Sequence, residues 1–135
     1  MPSLVEKGYD NYADIFVEAD KERIVQVLTN LLDNALKFIG PNGTISVTVR
    51  IQQNEKNMEA IVSIKNNGAG IDPEVMPKLF TKSVTNSLLI SGTKGIGLGL
   101  YISRNIIEAH EGRIWAENNT KDMGATFSFS LPMLK

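Results

Sequence analysis

The 135-residue sequence contains no cysteine and a single histidine, His110. Without cysteine there are no disulfides or thiolate metal sites, and one histidine leaves little for a site built on imidazole ligands. No apolar run approaches the roughly 18 residues that span a bilayer. These absences are compatible with the reducing cytoplasm, which is the expected location of this domain whether or not the parent protein is membrane-anchored.

Charge of one sign is also scarce, because the formal net charge is −1 and acidic and basic residues are interspersed. No basic face suited to nucleic acid is therefore expected. A chain of this length fits one domain, residues 1–135, which can bury roughly two-thirds of its unfolded surface.

Hydrophobic periodicity predicts an α/β sandwich of about five strands and three helices, with a mixed, largely antiparallel sheet covered by helices on one face. The predicted elements are a strand at 14–18, a helix from 20 to about 39, strands at 44–51 and 58–65, a short helix at 72–80, a helix at 97–110, and strands at 113–117 and 125–131.

The first long helix carries two patterns. Six apolar residues recur at helical spacing and predict the core stripe: Ile24, Leu28, Leu31, Leu32, Ala35 and Ile39. Asn30, Asn34 and Lys37 recur at i, i+4 and i+7 and so share another face. Asparagine is a poor helix former, so two of them one turn apart indicate a function rather than chance.

Two glycine-rich stretches follow. Gly68 to Ile71 comes directly after a strand and predicts a tight turn, whereas Gly95, Gly97 and Gly99 open a helix, where free N–H groups attract anions. The segment 81–94 between them is interpreted as a mobile lid, with an ordinary surface loop as the alternative. Together the stretches indicate a nucleotide site.

In this order and spacing, the motifs resemble the ATP-binding catalytic domain of sensor histidine kinases, over about residues 14–131. That family shares a Bergerat-type fold with DNA gyrase, the Hsp90 chaperones and the mismatch-repair ATPases. The resemblance implies ATP and Mg²⁺ as cofactors, with Asn34 as the magnesium ligand. It also implies phosphate contacts from Asn30 and Lys37, and packing of Phe38 near the base.

The resemblance assigns the remaining nucleotide contacts to the turn, the helix start and the last strand: Asn66, Gly68, Gly70, Ile71, Gly95, Gly97, Leu98, Gly99 and Thr126. Asn66 stands where the family has an aspartate that accepts a hydrogen bond from the adenine amino group. An amide oxygen accepts more weakly, and its nitrogen adds donors. Weaker ATP binding is expected; altered base preference and lost binding stay open. Ser83 also departs from the family, where a phenylalanine is common.

The expected function is to bind Mg-ATP and deliver its γ-phosphate to a histidine on a separate dimerisation domain of the parent protein, in service of a response regulator. The fragment itself is expected to be monomeric, and His110 to be structural. One alternative is a degenerate docking module. A self-contained ATPase is disfavoured, because Asn30 stands where such enzymes carry a glutamate and an amide cannot act as a general base.

Overall fold

The computed structural model of this chain describes residues 15–39, 41–82, 96–120 and 123–134, with only the backbone described for Phe38 and residues 96–98. Two α-helices cover one face of an antiparallel sheet. The elements are α1 (Lys21–Phe38), β1 (Ile45–Gln53), β2 (Met58–Asn66), a 3₁₀ helix (Met76–Lys78), α2 (Ile96–Ala109), β3 (Ile114–Asn118) and β4 (Ala125–Pro132).

The sheet has the spatial order β1-β2-β4-β3, with every pairing antiparallel. The predicted α/β sandwich is confirmed. The expected counts were too high, because the described residues contain four strands and two α-helices plus one 3₁₀ helix. In the described part of the chain, no helix has the length and apolar character needed to cross a membrane.

Helix α1 begins where its cap predicts. Asp20 is the N-cap, and its carboxylate accepts hydrogen bonds from the backbone N–H groups of Glu22 (3.1 Å) and Arg23 (3.3 Å). The predicted core stripe is confirmed in its main part, because Leu31 and Ala35 are fully buried and most of the other apolar residues of the stripe pack against the core. Val27, which the stripe left out, is fully buried as well.

The strands follow their alternating patterns. β1 and β2 form the expected hairpin, in a register that runs from Ile45 opposite Asn66 to Gln53 opposite Met58. β4 then inserts between β2 and β3, so that Ile64 lies opposite Phe127. Alternate residues of β4 face the helices and enter the core: Ala125, Phe127, Phe129 and Leu131.

Two predicted elements are wrong. The strand expected at 14–18 is reduced to a single bridge between Val17 and Met133, since the described residues offer it only the short end of β4 as a partner. The helix expected at 72–80 is a turn and a three-residue 3₁₀ helix that contains Pro77, which has no N–H to continue a helical ladder. The predicted lid, from residue 83 onward, lies outside the described residues.

His110 joins the end of α2 to the start of α1. Its Nδ1 lies 2.8 Å from the carbonyl oxygen of Ile106, and its Nε2 lies 3.0 Å from the backbone nitrogen of Asp20. The backbone N–H can only donate, so Nε2 accepts. Nδ1 therefore carries the ring hydrogen and donates a hydrogen bond to the carbonyl oxygen of Ile106. Both ring nitrogens are thereby used within the fold.

The chain leaves α2 through a left-handed residue. Glu111 has φ 65°, and the N–H of Gly112 donates to the carbonyl oxygen of Ile107 at 2.9 Å, which closes the helix end. Gly112 has no alternative, because an added Cβ would lie 1.9 Å from the carbonyl oxygen of Ser130. Glu111 therefore occupies a position where glycine is usual, while the next residue must be glycine for a different reason.

Replacing Glu111 with glycine should stabilise the protein. Relief of the left-handed strain outweighs the extra unfolded-state entropy of glycine, and we expect a gain of about 0.5–1 kcal/mol in the free energy of unfolding. Urea unfolding followed by circular dichroism measures the change. The matched control is Glu108→Gly, within α2, which should lose about 1 kcal/mol. A lower unfolding midpoint for Glu111→Gly would contradict the strain argument.

Candidate functional site

At one end of the sheet, the turn after β2 is held by the last residue of β3. The side chain of Asn118 hydrogen-bonds to both polar backbone groups of Ile71, an arrangement that we call the Ile71 clamp. Its Oδ1 accepts from the N–H at 2.8 Å, and its Nδ2 donates to the carbonyl oxygen at 2.9 Å. Gly70 precedes this clamp with φ 85°, a conformation that favours glycine. Ile71 is only 8% exposed, so the clamp fixes a mostly buried apolar wall.

Asn119, which directly follows β3, hydrogen-bonds to the end of β2 and to the start of β4. Asn119 donates from Nδ2 to the carbonyl oxygens of Asn66 and Met123, both at 3.0 Å, and its Oδ1 accepts from the hydroxyl of Thr126 at 2.7 Å. Gly124, with φ 99°, lets the chain pass so close that an added Cβ would lie 2.1 Å from the Asn66 carbonyl oxygen. The backbone around Asn66 is thus fixed from two sides.

The side chain of Asn66 is buried in this junction, with 1% of its surface exposed. Its Oδ1 accepts from the N–H of Gly68 at 2.9 Å and from the N–H of Ala125 at 3.4 Å. Its Nδ2 is buried and has no hydrogen-bond partner among the described residues. The amide therefore uses its acceptor within the fold and leaves its donors unpaired.

The side chain of Thr126 lies on the face of the sheet away from the helices and from the side chain of Asn66. Thr126 lies opposite the exposed Lys65, and strand alternation places its side chain on the face opposite Ala125 and Phe127. Its hydroxyl donates to Asn119. The structure brings Ala125, rather than Thr126, to the side chain of Asn66, so a base contact by the Thr126 side chain gains no support from this geometry.

On α1, the two asparagines of the motif have different surroundings. Asn30 donates from Nδ2 to the carbonyl oxygen of Gly99 (3.3 Å) and to the hydroxyl of Ser103 (3.1 Å), and so ties α1 to α2. Asn34 is 3% exposed, and its Nδ2 has no partner in the described part of the chain. Lys37 is exposed in the last turn of α1.

The surroundings of Asn34 can hold a cation only when a bound ligand supplies the remaining donor atoms. The described residues contain no group of three or more histidine, cysteine, aspartate or glutamate side chains that could hold a metal. A single amide oxygen, as Asn34 carries, nevertheless suits Mg²⁺ when phosphate oxygens and waters complete its shell. The donor set therefore fits a magnesium ion that arrives with a phosphorylated ligand.

The other predicted site residues are placed as follows. Gly97, Leu98 and Gly99 lie in the first turn of α2, where the leading N–H groups have no partner within the helix. Gly68 lies in the turn beside Asn66. Gly95 and Ser83 lie outside the described residues, as does the side chain of Phe38.

Comparison with known proteins identifies the family. The family model described as histidine kinase-, DNA gyrase B- and HSP90-like ATPase matches residues 19–135. This chain belongs to that family. The resemblance inferred from the motifs is therefore confirmed, and the match spans both α-helices and the four strands found in the described residues.

Relatives of this ATPase domain are named sensor proteins and sensor kinases. The chain is 41% identical over 119 residues to sensor protein KdpD of Clostridium acetobutylicum, covering 87% of this chain and 13% of that protein. It is 36% identical over 120 residues to sensor histidine kinase WalK of Bacillus subtilis (strain 168), covering 88% and 19%. The chain spans less than a fifth of the length of either relative.

Among solved structures, the catalytic domain of histidine kinase ThkA is similar, with a TM-score of 0.71 and 40% identity, covering 90% of this chain and 75% of that one. The chain thus corresponds to the catalytic domain of a histidine kinase.

Asn118 and Asn119 were missed as members of the site. Two consecutive asparagines at the end of a strand are the signal that could have indicated them.

Asn118→Ala tests whether the Ile71 clamp holds the turn. Losing two side-chain hydrogen bonds to partly buried backbone groups should lower the free energy of unfolding by about 1–2 kcal/mol. Urea unfolding measures this loss, with Asn105→Ala, an exposed position on α2, as the matched control. Equal unfolding midpoints for the two variants would show that the turn does not depend on Asn118.

Proposed function

We propose that this chain binds the magnesium complex of a nucleoside triphosphate, of which ATP is the one its family implies, and presents the γ-phosphate to a histidine on a separate domain. Two buried amides with unpaired donors, Asn34 and Asn66, carry the proposal. Buried polar groups are normally paired, so each of these two amides, in a domain of this family, favours a polar partner that the described residues do not supply.

Each element of the site has a place in this function. The oxygen of Asn34 would hold Mg²⁺, and magnesium, when bound, would neutralise charge on the phosphates. Lys37 and the leading N–H groups of α2 add positive potential for the same phosphates. The turn at Gly68 and Gly70, backed by Ile71, receives the base. Phosphoryl transfer depends mainly on such positioning and charge neutralisation.

In this proposal, the acceptor histidine belongs to a dimerisation domain of the parent protein. That domain then passes the phosphoryl group to a response regulator. His110 does not fit that role, because both of its ring nitrogens are used within the fold. We expect the chain alone to be a cytoplasmic monomer that binds nucleotide without completing the transfer.

The self-contained ATPase is a weaker candidate. Asn30 occupies the position where a general base would be needed, an amide cannot accept a proton from water, and its nitrogen is committed to Gly99 and Ser103. A pure docking module would not need unpaired donors inside the fold. Its support is limited to the departures from the family at Asn66 and Ser83.

Asn34→Ala tests the magnesium role. Titration calorimetry with ATP, with and without Mg²⁺, should show binding by the natural chain and a magnesium-dependent gain in affinity. Removing the amide oxygen should reduce that gain about tenfold, which is about 1.4 kcal/mol of binding free energy. Asp33→Ala, exposed and adjacent, is the matched control. Absence of nucleotide binding by the natural chain would refute the proposed function.

His110→Ala tests the structural role of the histidine. Loss of its two hydrogen bonds should lower the free energy of unfolding by about 1–2 kcal/mol while nucleotide affinity stays unchanged. Incubation of the natural chain with γ-phosphate-labelled ATP should leave it unlabelled. Acid-labile label that disappears in the alanine variant would instead make His110 the acceptor.

A further inference from the structure

The orientation of the Asn66 amide is decided by its neighbours. Two backbone N–H groups, from Gly68 and Ala125, converge on one side of the amide at 2.9 and 3.4 Å. An N–H group can donate only to an acceptor, so the oxygen must lie on that side. Turning the amide over would bring its NH₂ group against two donors and remove both hydrogen bonds.

The backbone that carries this amide is also held. Asn119 donates to the carbonyl oxygen of Asn66, and Gly124 packs against the same oxygen so closely that it excludes a Cβ. β2 and β4 are in register directly before this point, from Glu59 opposite Pro132 to Lys65 opposite Thr126. The Asn66 side chain is therefore not free to withdraw or to swing to the other face.

The unpaired group that results is a donor. Nδ2 of Asn66 is buried, has no partner among the described residues, and belongs to a side chain that is 99% buried. Leaving a buried donor without an acceptor is costly, so a ligand that offers an acceptor at this point is favoured over one that offers a donor. An aspartate in the same place would present the opposite character, because a carboxylate only accepts.

We infer that this chain prefers a nucleoside triphosphate whose base carries a carbonyl oxygen where adenine carries its amino group, that is, a 6-oxopurine such as hypoxanthine or guanine. The inference rests on the proposed function, in which Asn66 reads the base. The adenine amino group would meet Nδ2 donor to donor, whereas a 6-oxo group accepts from it.

In the proposed function the base lies against Ile71, and this contact limits a shift of adenine that would offer a ring nitrogen to Nδ2 instead. Ile71 is 8% exposed, and Asn118 holds both its N–H and its carbonyl oxygen. The wall and the amide belong to the same short turn, so they cannot move independently to fit a displaced base. Recognition then depends on which group the base presents at its six-position.

Inosine triphosphate and ATP give the sharpest test, because they share ribose and triphosphate and differ at the base edge. Titration calorimetry with Mg²⁺ should show the natural chain binding inosine triphosphate about tenfold more tightly than ATP, with GTP also ahead of ATP. Asn66→Asp should reverse the preference by a similar factor. The aspartate can still accept from Gly68 and Ala125, and circular dichroism checks that the variant folds.

The matched control is Asn67→Asp, which adds the same charge one residue away on an exposed side chain that accepts from the N–H of Thr44. It should leave the ratio of the two affinities unchanged. ATP binding at least as tight as inosine triphosphate in the natural chain would overturn the inference, as would an unchanged ratio in Asn66→Asp. If the natural chain binds no triphosphate but Asn66→Asp binds ATP, the 6-oxopurine preference also falls. Failure of the natural chain to bind any triphosphate would overturn the proposed function itself, whatever Asn66→Asp binds.

Discussion

The candidate site depends on the antiparallel pairing of β4 with both β2 and β3. This insertion places the end of β2 beside the end of β3 and the start of β4, although β2 ends more than fifty residues before either of them in the sequence. Only because these ends meet can Asn119 bond to the carbonyl oxygen of Asn66, and Asn118 to the backbone of Ile71. A site formed in this way inherits the rigidity of the sheet rather than the freedom of a loop.

Asparagine amides perform most of the positioning, and they differ in how fully they are paired. Asn118 and Asn119 use both their oxygen and their nitrogen within the fold, and Asn30 uses its nitrogen to join the helices. Asn66 uses only its oxygen there, and the nitrogens of Asn66 and Asn34 are buried without partners in the described residues. The same side-chain chemistry thus builds the frame at some positions and, in the proposed function, meets the ligand at others, and the pairing distinguishes the two uses.

Local signals predicted the regular elements well. The Asp20 cap and the helical spacing of the residues after it located α1, and alternation located the β1–β2 hairpin and the last two strands. Local sequence patterns predicted the structure less well where an element depends on a neighbouring strand to pair with. The pattern at 14–18 is strand-like, yet Val17 makes only one bridge because little edge is available to it. The side chain of Thr126 lies on the face opposite the buried Phe127, and its expected place near the base stays a prediction.

From the sequence alone, the family, the fold class and the unusual asparagine at position 66 follow, because motif order, periodicity and residue identity are properties of the chain itself. Which atom of that asparagine is left unpaired by the fold is decided only by tertiary structure. Gly68 is a local neighbour, but Ala125 and Asn119 reach Asn66 across the sheet, and their hydrogen bonds orient the amide and hold its backbone. An amide is nearly symmetric in shape and opposite in hydrogen-bonding character at its two ends, so its surroundings determine what it offers a ligand.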